Sequence, residues 1–90
     1  MYAALICRDK PDSLDLRMGN REAHLDYVAR TGVVEFAGPF LNDAGEMCGS
    51  LIILNVDSME DAHAWAKADP YAKAGLFAQV EVNAWKKVIG

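Results

Sequence analysis

The chain has 90 residues, 52% of them hydrophobic, and carries a net charge of −4. One domain, residues 1–90, is what that length holds. The negative balance excludes a typical nucleic-acid binder, because the basic residues are scattered apart from Lys86-Lys87 and no basic patch can displace counterions.

Tyr2 to Cys7 is an apolar run of strand length, broken by Lys10-Pro11-Asp12. Ser13 is expected to cap a short turn over Leu14 to Arg17, and Asn20 to start the first helix, from Arg21 to Arg30. Leu25, Val28 and Ala29 would form its apolar stripe, and Gly32 would end it. Val33 to Phe40 reads as a strand with Val34, Phe36 and Phe40 on one face and a bulge or edge at Gly38-Pro39. The turn Asn42-Asp43-Ala44-Gly45 leads to a second, very apolar strand from Ser50 to Val56, so the two form a hairpin.

Ser58, with Asp61 three residues on, resembles a capping box for a second helix striped by Ala62, Trp65 and Ala66. Asp69-Pro70 ends that helix, since a residue before proline avoids the helical region. After a short turn or helix from Tyr71 to Leu76, Gln79 to Val88 closes the chain as a strand. The order β-α-β-β-α-β predicts a ferredoxin-like α+β fold with a four-stranded antiparallel sheet.

Two helices cover only one face of such a sheet, and the other should then be polar. Here Ala3, Leu5 and Cys7 oppose Tyr2, Ala4 and Ile6, and Leu51 and Ile53 oppose Ile52, Leu54 and Val56, so both faces are apolar. A homodimer packed face to face about a two-fold axis is the simplest cover. Cys7 and Cys48 show no metal-ligand spacing and read as small buried hydrophobes, and no metal is expected. No run reaches the ~18 apolar residues of a membrane span, and the N-terminus lacks the regions of a signal peptide, so a cytoplasmic protein with no membrane partner is expected.

His24 lies beside the first helix's apolar stripe, and an imidazole, with its ordinary pKa of about 6.5, suits proton transfer at neutral pH. The plain alternative is a boundary histidine bonded to a backbone carbonyl. Asp69 can orient a histidine tautomer, or can be an ordinary turn residue before proline. Arg17 and Arg21 flank the entrance to the first helix and can hold a carboxylate or other anion of a substrate, with a solvated helix start the favoured reading for Arg21. Gly38, Pro39, Gly49 and Ser50 lie at matching ends of the hairpin, where glycine admits a ligand to the backbone and Ser50 offers a hydroxyl. His63 falls on the outer side of its helix, and Trp65 and Trp85 read as core or interface.

In this order the residues resemble the YciI-like family over nearly the whole chain. The resemblance runs through Asp9-Lys10-Pro11-Asp12-Ser13-Leu14, then Arg17 and Arg21 leading to Ala23-His24-Leu25, then Ala37-Gly38-Pro39. It continues with Gly49-Ser50, Ala64-Trp65-Ala66, Asp69-Pro70-Tyr71-Ala72 and Trp85-Lys86-Lys87-Val88. Glu22 departs from it where proline is expected. The resemblance implies a ferredoxin-like subunit of a dimeric α+β barrel, and a site built on a histidine and an aspartate, here His24 and Asp69. Related proteins take part in the breakdown of chlorinated aromatic compounds by proton abstraction and loss of chloride. The expectation is therefore a cofactor-free acid–base enzyme, of lyase or isomerase type, acting on a small cyclic or aromatic metabolite. His24 and Asp69 would be catalytic, and Arg17, Gly38, Pro39, Ser50 and Tyr71 would bind substrate. The rival expectation is a small-molecule binding or accessory module of the same fold without turnover, and under either reading the partner is a second copy in a homodimer or a higher homo-oligomer.

Overall fold

A computed structural model describes the chain from Met1 to Gly90. Its elements are β1 (Tyr2–Asp9), α1 (Leu14–Thr31), β2 (Val34–Leu41), β3 (Met47–Asn55), α2 (Met59–Ala68), α3 (Pro70–Lys73) and β4 (Phe77–Trp85). The four strands form one antiparallel sheet in the order β2-β3-β1-β4, the ferredoxin-like arrangement the element order predicts.

The apolar runs take the centre of the sheet. Register pairs Ala3 with Leu54 and Leu5 with Ile52 on the face that the helices cover, and all four are at most 1% exposed. Each large side chain buried there contributes about 1.5–3 kcal/mol. Ser58 caps α2 as its spacing predicts, accepting the Asp61 amide at 3.1 Å. Trp65 completes the core, donating its indole N–H to Thr31 Oγ1 at 2.9 Å, while Trp85 lies on the other face, 39% exposed.

Strand ends shift by one to three residues from those read in the sequence, and three larger differences stand beside them. The first helix does not start at Asn20. It runs unbroken from Leu14 to Thr31, with Asn20 inside it donating its side-chain amide to the Leu16 carbonyl. Ser13 stands at the N-cap without capping: its backbone, φ −111 and ψ 16, is not the extended N-cap conformation, and its hydroxyl donates to the Pro11 carbonyl. Gly32 ends α1 as expected, left-handed at φ 66 with its amide bonded to the Val28 carbonyl.

The second difference is in β2. A bulge between Val34 and Phe36 sets Val34 opposite Leu54 on the helix face, and Phe36 opposite Ile53 on the open face. Val34 and Phe36 therefore do not share a face. The third is in β4, which begins at Phe77 and ends at Trp85, leaving Val88 outside the sheet and 80% exposed.

The open face is partly roofed by its own aromatics. Phe36 and Trp85 belong to opposite edge strands, yet their rings meet edge to face at 6.5 Å, and Tyr2 meets Trp85 at 6.0 Å. Ala4 and Ile53, between those edges, are thereby reduced to 8% and 3% exposure. The roof stays apolar on its outside, with Phe36 49% exposed.

Candidate active site

The unbroken α1 brings one polar stripe inward. Arg17, Arg21 and His24 are spaced i, i+4 and i+7, which places all three on one side of a helix. The buried residues of the helix are Arg17, His24 and Tyr27, whereas the expected stripe residue Leu25 is 45% exposed and Ala29 is also exposed.

Opposite this stripe, Pro70 does two things. It holds Asp69 in extended backbone, φ −59 and ψ 128, and it starts α3. The Asp69 side chain turns back to cap that helix, Oδ1 accepting the Tyr71 amide at 3.0 Å. The same oxygen accepts from His24 Nδ1 at 2.8 Å, in a pair buried to 7% and 1% exposure. An ionised carboxylate can only accept, so the proton of the neutral imidazole sits on Nδ1 and Nε2 carries the lone pair. Nε2 has no protein partner and is not sealed from solvent. The ring is further fixed by stacking on Tyr71, at 4.1 Å and 14°. Burial pushes the Tyr71 phenol above its ordinary pKa, though Arg17 draws it down, so it serves as a neutral wall.

Arg17 is tied from behind. Its Nε and Nη2 donate to the two oxygens of Asp9 at 2.8 and 3.0 Å, a bidentate ion pair. Nη2 also donates to Ser50 Oγ at 2.9 Å. With Oγ accepting from Arg17, the Ser50 hydroxyl proton is free to point elsewhere. Burial opposes the charge on Arg17, but the hydrogen bonds and charge of Asp9 outweigh it and raise its pKa. Beneath them lies Cys7, paired in register with Ser50. Burial, then the nearby Asp69 charge, pushes its thiol up to about 12, so it stays protonated.

These groups face a cavity of about 200 Å³ between α1 and the β2–β3 side of the sheet. Arg17, His24, Ser50, Tyr71, Gly38 and Pro39, all expected at the site, line it. Asp69 does not line the cavity and touches it only by way of its bond to His24. Gly49 is absent from the lining and answers a packing need instead: a Cβ there would stand 2.4 Å from the Cys7 carbonyl oxygen. A larger groove of about 370 Å³ lies beyond Met47, lined in part by Asp9, Asp12, Asp15 and Glu46, and holds neither His24 nor Asp69.

Two site residues escaped the sequence. Asp9 was legible only as part of the family resemblance, with no role of its own, because its partner Arg17 comes within reach only after the chain turns. Arg21 was weighed with Arg17 as a holder of a substrate anion, but a solvated helix start was the favoured reading. It is exposed, but with the helix beginning at Leu14 it stands one turn beyond Arg17 and lines the cavity. His63 is at the surface as expected, bordering a separate groove with Val80 and Val82.

Fold and site together define a class: a small ferredoxin-like α+β protein with a buried imidazole–carboxylate pair beside a cavity of ring size. The chain belongs to the YCII-related domain family, whose model matches residues 1–86. It is 39% identical to Protein YciI of Escherichia coli, over 98% of this chain and 99% of that protein. An uncharacterised protein of Haemophilus influenzae is 30% identical over the same shares. Among solved structures it resembles a 5-chloro-2-hydroxyhydroquinone dehydrochlorinase from Burkholderia phenoliruptrix, in complex with 2,5-dihydroxybenzoquinone. That match has TM-score 0.86 and 35% identity, covering 96% of this chain and 94% of the other. An antibiotic biosynthesis monooxygenase, at TM-score 0.61 and 9% identity, shares the fold alone.

Proposed function

We propose that the chain is an enzyme of acid–base chemistry on a small ring-shaped metabolite, with His24 Nε2 as the group that moves the proton. The observation that carries this is the 2.8 Å bond from His24 Nδ1 to a buried Asp69, which leaves a lone pair on Nε2 beside the cavity. Asp69 fixes the tautomer and stabilises the imidazolium once the proton has moved. Ser50 Oγ–H and the unpartnered Nη1 of Arg17 supply donors for an oxygen that gathers negative charge. The family likeness supports the same reading, since one solved relative is described as a dehydrochlorinase. Loss of hydrogen chloride takes one proton and one chloride from the substrate and needs no oxidant or reductant, so side chains suffice.

The active form in this reading is a homodimer that covers the roofed open face, where Phe36 and Trp85 stand 49% and 39% exposed. Its place is the cytoplasm, and no helix is long and apolar enough to cross a membrane.

Chloride release from 5-chloro-2-hydroxyhydroquinone tests the chemistry. His24→Gln should lower turnover by about 10²–10⁴-fold while the melting temperature holds. Nitrogen-15 NMR of His24 should show Nδ1 protonated and Nε2 bare in the neutral ring. Turnover retained in His24→Gln, or the opposite tautomer, would overturn the proposal.

A further inference from the structure

Every ionisable side chain that lines the cavity, save the neutral phenol of Tyr71, is a base: Arg17, Arg21 and His24. This is unexpected in a chain of net charge −4 with 13 carboxylates. The two carboxylates at the site stand behind the bases. Asp9 holds Arg17 and Asp69 holds His24, and neither lines the cavity. Arg17 is thus neutralised by its own ion pair. Arg21 is not: it makes no salt bridge, while its positive charge is felt at the Tyr71 phenol. The cavity mouth therefore has one uncompensated cation and no anion. The neighbouring groove, by contrast, sets Asp12, Asp15 and Glu46 against one cation, Lys10, its Asp9 being paired with Arg17, so it stays net negative and an approaching anion is turned from it toward the smaller cavity.

Size narrows the ligand further. A dry cavity of about 150 Å³ in another protein accepts benzene. About 200 Å³ therefore holds one six-membered ring with a small substituent. The apolar part of the lining, Leu25, Pro39, Met47 and Ile52, suits the ring's faces and edges.

We infer that the site takes a single-ring organic anion, and that Arg21 at the mouth is the residue that recognises its negative group. The inference rests on the cavity named under the proposed function, but not on any reaction there. Arg21 pairs with the anionic substituent, leaving Arg17 and Ser50 to engage the oxygen at which charge develops. A neutral ring of the same shape would leave Arg21 unpaired and gain nothing from it.

Benzoate and its neutral isostere benzamide are the probes, with binding followed by amide shifts of the intact protein at low and high salt. Wild type should bind benzoate about tenfold more tightly than benzamide, with shifts at the cavity residues. That preference should shrink as salt rises. Arg21→Gln, at an exposed position where folding is not at risk, should erase the preference while leaving benzamide binding unchanged, and Arg21→Lys should keep most of it. Equal binding of the two probes, a preference that survives in Arg21→Gln, or no binding of either probe at 20 mM would overturn the inference. His24→Gln separates the two claims: it should end turnover yet keep the preference for benzoate.

Discussion

Removing Asp9 tests the ion pair on which the cavity wall is built. Its carboxylate and the Arg17 guanidinium are 5% and 4% exposed and bonded at 2.8 and 3.0 Å, so solvent screening does little for either. Asp9→Ala leaves Arg17 charged and buried, with Ser50 as its remaining side-chain partner. Breaking a buried pair from one side costs about 3–5 kcal/mol, because a charge is left uncompensated. A chain of this length has about 5–14 kcal/mol in all, so the loss is about a fifth of the total or more. At about 4–8 °C per kcal/mol, the melting temperature should fall by more than ~10 °C. The assay is urea unfolding followed by far-ultraviolet circular dichroism, at fixed protomer concentration because a dimer makes stability concentration-dependent. Adding Arg17→Met to the variant removes the stranded charge and should recover at least half of the loss, without restoring a working site. A loss below about 1 kcal/mol for Asp9→Ala, the range of surface pairs, would refute the reasoning.

Further outcomes follow from the packing and the open face. With Cys7 buried and its thiol pushed up to about 12, a thiol reagent at pH 8 should find Cys48 alone in the native protein and both cysteines in denaturant. The same shift makes the folded chain hold a proton that the unfolded chain loses above pH about 9. Stability from this thiol is thus complete below pH 9 and is lost as pH climbs toward 12, and Cys7→Ala should show a shallower alkaline decline. Gly49→Ala, whose Cβ would meet the Cys7 carbonyl at 2.4 Å between the two central strands, should cost about 1–3 kcal/mol or more in urea unfolding. Gly38→Ala, which meets nothing within 4 Å, should leave stability nearly unchanged. Light scattering should give a dimer mass for wild type and a monomer mass for Phe36→Glu, since that variant sets a charge on the apolar roof. A wild-type monomer at micromolar concentration would remove the dimer from the reading.

The centres of β1 and β3, Tyr2 to Cys7 and Leu51 to Leu54, were legible because their inward and outward residues are apolar, whereas the polar ends that carry Asp9 and Ser50 serve the site. The hairpin turn and the Ser58 cap were legible because they are local chemistry. What escaped was the start of α1, and the reason lies in the site itself. A helix is found by its apolar stripe, and the buried face of α1 is Arg17, His24 and Tyr27. Over Leu14 to Asn20 that face reads as surface, and Gly19-Asn20 then looks like a break. Hence Arg21 was assigned to solvent, one turn from the arginine whose face it shares. The bulge at Glu35 was hidden differently, since an extra residue in an edge strand leaves no mark in an alternating pattern.

Polar residues on a buried helical face cost stability unless each is paired. In α1 each is: Arg17 by Asp9 and Ser50, His24 by Asp69, and Tyr27 by the Trp65 carbonyl. Tyr27 closes onto the core at the far end of the stripe and fixes the helix there, while the other two leave Nη1 and Nε2 with no protein partner at the cavity. Elements whose local pattern contradicts their burial are expected where function sets the residues. By that rule the failure to read α1 from its periodicity, and the presence of a cavity at that stretch of helix, have one cause.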